Sequence, residues 1–478
     1  MLFNSIDFVF FLPTVFLLYW FVANRSAKIQ NGFLLGVSYL FYGWWDWRFL
    51  SLIVVSSLVD YLVGLGLSQT DERKTRMLLL LASVLVNLGM LGFFKYYHFF
   101  LENFVQAYRF FGQPIDPQGL EIILPVGISF YTFQTLSYSI DAYRRKLEPT
   151  RDLVAFFAFV AFFPQLVAGP IERATNLLTQ FYTKREFEYQ KATDGMRQIL
   201  WGFFKKVVIA DNCARYVELI FNDPTSYSGS TLLLGAIFFA FQIYGDFSGY
   251  SDIAIGTARL FGFDLMQNFA FPYFSRDIAE FWRRWHISLS TWFRDYLYIP
   301  LGGSRGGAWV KIRNTFIIFV ISGFWHGADW TFILWGVVNA LFFLPYLLLN
   351  RNRRNLGSVA KGKFIPTALE LLAMLLTFTL TTFAWIIFRA ESVPHALAYI
   401  KGIFQLSLFS LPTIRPTTVA IFVILFVLVE WLQREQRHGL DFSQRNLATP
   451  VRWGLYLLIT CFVAAFFGQG NTFIYFQF

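Results

Sequence analysis

The sequence predicts an all-α polytopic membrane protein of about 11–12 membrane helices, with re-entrant and interfacial helices, around a central tunnel. Three observations carry that prediction. Hydrophobic residues make up 56% of the 478 and charged residues only 15%, against about 25% charged in a soluble globular chain. Apolar runs such as SLIVVSSLVDYLVGLGL (51–67) and TTVAIFVILFVLVEWL (417–432) approach the roughly 20 residues that cross about 30 Å of hydrocarbon. Basic residues gather between such runs, as the loops of a multi-pass protein require.

Apolar stretches fall near 5–23, 32–45, 48–67, 77–99, 121–140, 198–221, 231–260, 315–349, 368–389, 415–432 and 451–469. The first has no basic leader and no small-residue cleavage site, so it reads as a retained span. As a helix, 315–349 would be roughly 50 Å long. It is expected to hold two segments that break near Gly327. No internal repeat or low-complexity linker is visible, and one transmembrane domain over 1–478 is the simplest organisation. Cys213 and Cys461 lack any metal-type spacing, so neither a zinc site nor a disulfide framework is indicated.

Loop charge predicts orientation. RSAK (25–28), ERKTR (72–76), RRKLEPTR (144–151), RNRRNLGSVAKGK (351–363) and REQRHGLDFSQRNLATPVR (434–452) belong in the cytoplasm by the positive-inside rule. The loop 100–119 is poor in Lys and Arg and belongs outside, and both termini then fall outside as well. Basic loops also account for the net charge of +10 without a nucleic-acid partner; the partner that the composition demands is membrane lipid. The stretch 153–171 conflicts with a simple crossing, because basic segments flank it on both sides. Pro164 and the AGP turn at 168–170 also argue against a continuous helix. It is read as re-entrant or interfacial, and irregular backbone at that depth must face protein or a water-filled funnel.

Two histidines stand out among five. SRDIAEFWRRWHISLSTWFRDYLYIPLGG (275–303) reads as an amphipathic helix, with Ser275 as N-cap and Asp277 in its first turn. Ile278, Phe281, Trp282, Trp285 and Leu289 form its apolar face, and Glu280 pairs with Arg284 at i,i+4 on the other. His286 falls on the apolar face; a hydrogen-bonded structural histidine remains the alternative. His326 lies in ISGFWHGADW (321–330), and between Arg313 and Arg351 it and Asp329 are the sole residues of the Asp, Glu, Lys, Arg or His types. Ionisable groups at that depth are costly and mark functional sites. A helix continuing through Gly327 would set Asp329 at i+3 from His326, near enough to orient the imidazole. A His–Asp pair that fixes packing is the other reading. With no zinc cluster, nucleophile elbow or phosphate-binding loop, general-base activation of a hydroxyl toward a thioester suits a buried imidazole. A proton-coupled transporter would also bury His and Asp, but no second copy of this region is visible.

FWRRWHISLSTWFRDYLYIPLGG (281–303) followed by GFWHGADW (323–330) resembles the membrane-bound O-acyltransferase (MBOAT) family, in its bacterial alginate and exopolysaccharide O-acetyltransferase branch. LPVGISFYTFQTLSYSIDAYRR (124–145), FFPQLVAGPIER (162–173) and YGDFSGYSDIAIG (244–256) resemble that branch too, so the likeness covers nearly the whole chain. The resemblance implies an internal tunnel, with His326 as the catalytic histidine and His286 as the second family histidine. It implies acetyl-CoA as a cytoplasmic donor, with no permanently bound cofactor. Substrate contacts are expected from Asp329, Trp325, Trp285 and Arg305, the last in LGGSRGG (301–307), where backbone N–H groups and charge can hold phosphates. An ordinary interfacial loop remains the alternative for that segment.

The chain ends NTFIYFQF, and Phe473-x-Tyr475-x-x-Phe478 resembles a terminal motif linked to acyl relay in related surface-polymer acylation systems. Tyr475 is either that relay or an interfacial belt residue. The function expected is transfer of acetyl groups from cytoplasmic acetyl-CoA to an extracytoplasmic polysaccharide, across a bacterial inner membrane. A periplasmic or membrane-anchored SGNH-type acetyltransferase partner is expected to complete it. Peptidoglycan O-acetylation and D-alanyl transfer to teichoic acid are alternatives within the class, and a proton-coupled transporter is the alternative outside it.

Overall fold

The computed structural model describes residues 1–112, 119–120, 122–167, 169–443, 447–468 and 473–474, and every regular element among these is helical. They pack as two compact units, residues 1–192 with 258–266, and residues 193–257 with 267–478. Among the described residues, six helical stretches are long and apolar enough to cross a membrane: Ala27–Gln69, Arg73–Phe110, Gly229–Leu260, Trp330–Leu348, Ala368–Arg389 and Thr449–Phe466. Three shorter apolar helices, Ile6–Phe21, Leu153–Leu166 and Thr417–Gln433, accompany them.

The first unit contains α1 (Ile6–Phe21), α2 (Ala27–Asp46), α3 (Leu50–Gln69), α4 (Arg73–Leu91), α5 (Tyr97–Phe110), α6 (Ile128–Tyr143), α7 (Leu153–Ala161) and α8 (Phe163–Leu166). Serines cap α1 and α2: Ser5 accepts from the Phe8 N–H and Ser26 from that of Ile29, satisfying donors that a helix start leaves unpaired. α6 is polar for a membrane helix because it is buried almost throughout, with Thr132, Gln134, Ser137 and Ser139 inside. Its partner is the buried Asp60 of α3, which accepts from Ser83 (2.5 Å) and Asn87 (2.7 Å) of α4 and from Ser139 of α6. Desolvating a carboxylate costs several kcal/mol unless donors replace water. These donors do so, and they tie three helices together.

The stretch 153–171 is short and broken, as its flanking charges require. α7 rises about 14 Å, less than half of the roughly 30 Å of hydrocarbon. The break lies at Phe162 (φ −51°, ψ 106°), two residues before Pro164. That proline sits in the first turn of α8, where its missing N–H has no helical partner to lose. Phe156, Phe159, Phe162 and Phe163 are fully buried. Gln134 donates to the Phe159 carbonyl (2.8 Å), and Ser38 accepts from the Phe163 N–H (3.1 Å).

The second unit contains α9 (Tyr189–Phe203), α10 (Asp211–Asn222), α11 (Gly229–Leu260), α12 (Ile278–Arg284), α13 (Ile287–Phe293), α14 (Ala308–His326), α15 (Trp330–Leu348), α16 (Ala368–Arg389), α17 (Val393–Ile403), α18 (Thr417–Gln433) and α19 (Thr449–Phe466). α9 belongs here from residue 193 on, and α11 up to residue 257. A π-helical stretch, Phe204–Ala210, joins α9 to α10.

The segment 275–303 departs from the continuous amphipathic helix that its periodicity suggests. Asp277, not Ser275, is the N-cap, accepting from the Glu280 N–H (2.7 Å). The helix stops at Arg284 and restarts at Ile287 as α13. Its polar side does not face water either. Glu280 is buried between Arg276 (3.0 Å) and Arg284 (2.9 Å), and both arginines donate to the Gly357 carbonyl. The expected Glu280–Arg284 pair is therefore present, inside a polar seam against the loop after α15.

The stretch 315–349 does hold two segments, α14 and α15, parting at Gly327. These helices touch backbone to backbone. A Cβ on Gly323 would lie 2.1 Å from the Phe332 carbonyl oxygen, and one on Gly336 2.3 Å from that of Phe319. Small residues at membrane helix crossings permit such approach. Gly336→Val is expected to lower stability by about 1–3 kcal/mol, the ordinary cost of overpacking, seen as a reduced melting temperature in detergent. Gly454→Ala on α19, where a Cβ meets nothing within 4 Å, is the control and should melt as wild type.

Candidate active site

A cavity of about 470 Å³ lies in the second unit, bounded by α12 to α15 and the loop that follows α15. Its wall on α14 consists of Thr315, Ile318, Phe319, Ser322 and His326, the i, i+3, i+4 spacing of one helix face. From Thr315 to His326 that face rises about 16 Å, so the cavity is elongated. Opposite it, Trp282, His286, Ser290 and Arg294 recur at every fourth residue. Arg283 and Arg353 complete a cationic part of the lining. Arg283 is held by the Asn352 and Asn355 carbonyls at 2.5 and 2.7 Å.

The two histidines meet in this cavity, their ring centroids 6.4 Å apart. His326 is the last residue of α14, because Gly327 turns fully extended (φ −158°, ψ 151°). Trp325 (5.0 Å), Trp335 (5.3 Å) and Phe388 (5.4 Å) surround its ring. His286 occupies the break between α12 and α13 in a left-handed conformation (φ 43°, ψ 55°), a region that non-glycine residues occupy at a cost of about 1–3 kcal/mol. Asn268 secures the turn: its carbonyl accepts from the Ile287 N–H (2.9 Å), its side chain accepts from Ser288 Oγ (2.9 Å), and it donates to Ser251 of α11 (3.1 Å). Phe247 lies edge-on to the His286 ring at 4.6 Å.

Other residues singled out from the sequence fall elsewhere. Asp329 caps α15, accepting from the Thr331 N–H at 2.8 Å; since α14 ends at His326, the helical i+3 relation does not arise. Trp325 and Trp285 are buried in the aromatic packing around the cavity, Trp285 against Trp385 (4.9 Å) and Phe281 (5.5 Å). Arg305 is exposed outside the cavity lining. Tyr475 and Phe478 lie outside the described residues, whereas Phe473 is fully buried. Sequence reasoning missed Trp282, Arg283, Arg294 and Arg353. The spacing of 282, 286, 290 and 294 was a usable signal for the first and third; Arg353 lies in a loop, where no periodicity exists. It also missed a buried ionic cluster beneath: Lys205–Asp252 (2.5 Å), Lys206–Asp211 (2.8 Å), Lys206–Asp246 (2.8 Å) and Tyr244–Glu430 (2.9 Å).

Two hydrophobically enclosed imidazoles, hydroxyls along one wall and arginines on the rim suit acyl transfer from an anionic donor. Comparison with known proteins agrees. The model of the membrane-bound O-acyltransferase family matches residues 40–387, a span that holds both histidines. The chain is 41% identical to the probable alginate O-acetylase AlgI of Pseudomonas aeruginosa, over 85% of this chain and 75% of that one. It is 40% identical to the AlgI of Azotobacter vinelandii, covering 85% and 78%. It is 37% identical to a peptidoglycan O-acetyltransferase of Helicobacter pylori, covering 85% and 80%. The expectation of an enzyme holds over that of a transporter: the chain belongs to the membrane-bound O-acyltransferase family and is a multi-pass membrane acyltransferase.

Proposed function

We propose that this protein takes acetyl groups from acetyl-CoA on the cytoplasmic side and passes them toward a polysaccharide outside a bacterial inner membrane. The observation that carries the reading is the meeting of His286 and His326 in one elongated cavity with arginines in its lining. Arg283, Arg294 and Arg353 supply the charge that phosphates of a CoA donor need, and guanidinium forks bind such groups well. His326 acts as general base. It accepts the proton of the acceptor hydroxyl as that oxygen attacks the thioester carbonyl; the C–S bond breaks, and the proton passes to the departing thiolate to give free CoA. Its place at the C-terminus of α14 favours the transient imidazolium, since the negative end of the helix dipole lies there. His286 orients the reacting groups and shapes the tunnel.

The names of the relatives support an alginate-like polysaccharide as acceptor. Peptidoglycan is the second reading, supported by the relative from Helicobacter pylori. A periplasmic SGNH-type partner completes the transfer, and an acceptor outside is in keeping with the loop charges. The whole chain works as one acyltransferase. Tyr475 follows the buried pair Phe473 and Ile474 and serves as the acyl relay. A phenol with pKa near 10 suits that role, because its ester retains enough transfer potential to pass the group onward.

His326→Ala should reduce acetyl-CoA turnover by purified protein about 100-fold or more, the scale of a lost general base, with normal accumulation in the membrane. Turnover near the wild-type rate would remove His326 from the mechanism. Orientation is tested at Lys361, exposed in the loop after α15: a Lys361→Cys variant should resist an impermeant thiol reagent in intact cells and react with a permeant one. Tyr475→Phe keeps an aromatic ring and removes the hydroxyl. It should stop polysaccharide acetylation while acetyl-CoA binding, measured by calorimetry, stays as in wild type; full acetylation would make Tyr475 a belt residue only.

A further inference from the structure

We infer that Asp246 is a positioning residue for the acyl transfer proposed above: it anchors the C-terminal tail beside the two histidines. Phe473 and Ile474 come after α19 in the chain, yet both are buried, at 0% and 1% exposure. The Ile474 N–H donates to Asp246 Oδ2 at 2.6 Å. The Phe473 ring packs at 4.3 Å on Tyr250 and 6.0 Å from Phe247. Phe247 is the ring that stands edge-on to His286 at 4.6 Å. Asp246, Phe247 and Tyr250 occupy neighbouring positions of α11, so one stretch of one helix contacts both the tail and the histidine. A single aromatic ring separates them.

The charge arrangement explains why a backbone N–H docks there. Lys206 Nζ lies 2.8 Å from Asp246 and 2.8 Å from Asp211, all three buried. A buried carboxylate binds a further donor strongly. The tail supplies that donor.

This inference rests on the reading of the cavity as an acyl-transfer site, and its test separates the two. Full-length protein in detergent is digested with carboxypeptidase Y and followed by intact mass. Wild type should resist trimming at Ile474, and Asp246→Ala should be trimmed past Phe473. In cells, Asp246→Ala should lower polysaccharide acetylation about 10- to 100-fold, the loss that misplacing a reacting group brings. Asp246→Asn, which keeps an acceptor oxygen, should restore much of the transfer. Ile474→Pro removes the N–H donor and fixes φ at that residue; it should lose transfer as Asp246→Ala does, whereas Ile474→Val, which keeps the N–H, should not. Should Asp246→Ala fail to accumulate, Ile474→Pro decides alone, because it leaves the buried ions untouched. Unchanged trimming in Asp246→Ala, or unchanged transfer in Ile474→Pro, overturns the anchor. Absence of acetyl-CoA turnover in wild type would instead sink the acyl-transfer reading, with the trimming result still deciding whether Asp246 holds the tail.

Discussion

Where Gly323 of α14 passes Gly336 of α15, two helix backbones lie in contact, and neither position has room for even a methyl group. The rest of the site depends on that crossing. His326 follows Gly323 by one turn on the same helix, so the crossing sets its height and rotation. Trp335, the neighbour of Gly336, is delivered edge-on to the His326 ring at 5.3 Å by the same contact. Phe332, whose carbonyl bounds the space at Gly323, packs at 4.8 Å on Phe388, which also borders His326. Lipid offers no hydrophobic drive for two apolar helices to associate; close backbone packing supplies it.

The interior handles polarity in two ways. Charges are paired locally: Lys205 with Asp252, Lys206 with Asp211 and Asp246, Glu280 with Arg276 and Arg284. Breaking such pairs costs more than they gain, since a lone buried ion is left. The histidines sit among the rings of Phe247, Trp325, Trp335 and Phe388. An imidazole can stay neutral where a lysine or aspartate must be paired, so it is the titratable side chain that such a pocket can hold ready for a proton.

Spans and breaks were legible in the sequence because they rest on local rules. Length forced the division near Gly327, and flanking charge exposed 153–171 as something other than a crossing. Both histidines were legible for a related reason: an ionisable residue in an apolar run has a cost that composition alone reveals. What periodicity misjudged was the phase at His286. The pattern from Ile278 to Leu289 suits a continuous helix, and the Asn268 contacts that hold the left-handed break come from a loop ten or more residues upstream. Asp329 misled for the opposite reason. Its spacing from His326 suggested a pair, but a short acidic side chain after an extended glycine makes a better N-cap, and the helix start took it. The tail contact with Asp246 joins positions far apart in sequence, and no local rule reaches that far.

Both histidines stand where a helix stops: His326 before the extended Gly327, and His286 in a left-handed turn between α12 and α13. A regular helix cannot easily aim two side chains from different helices at one point, since each residue is bound to a rotation of about 100° and a rise of about 1.5 Å. A terminus is free of that constraint, and it leaves carbonyl or N–H groups that must be satisfied at membrane depth. Here they are satisfied by protein. Asn268 accepts from Ile287 and Ser288, and Asp329 accepts from Thr331. Irregular backbone inside a membrane is tolerated where protein or a water-filled cavity satisfies it. The two breaks are thus affordable because polar side chains nearby complete their hydrogen bonds, and the same breaks are what let the two imidazoles converge on one cavity.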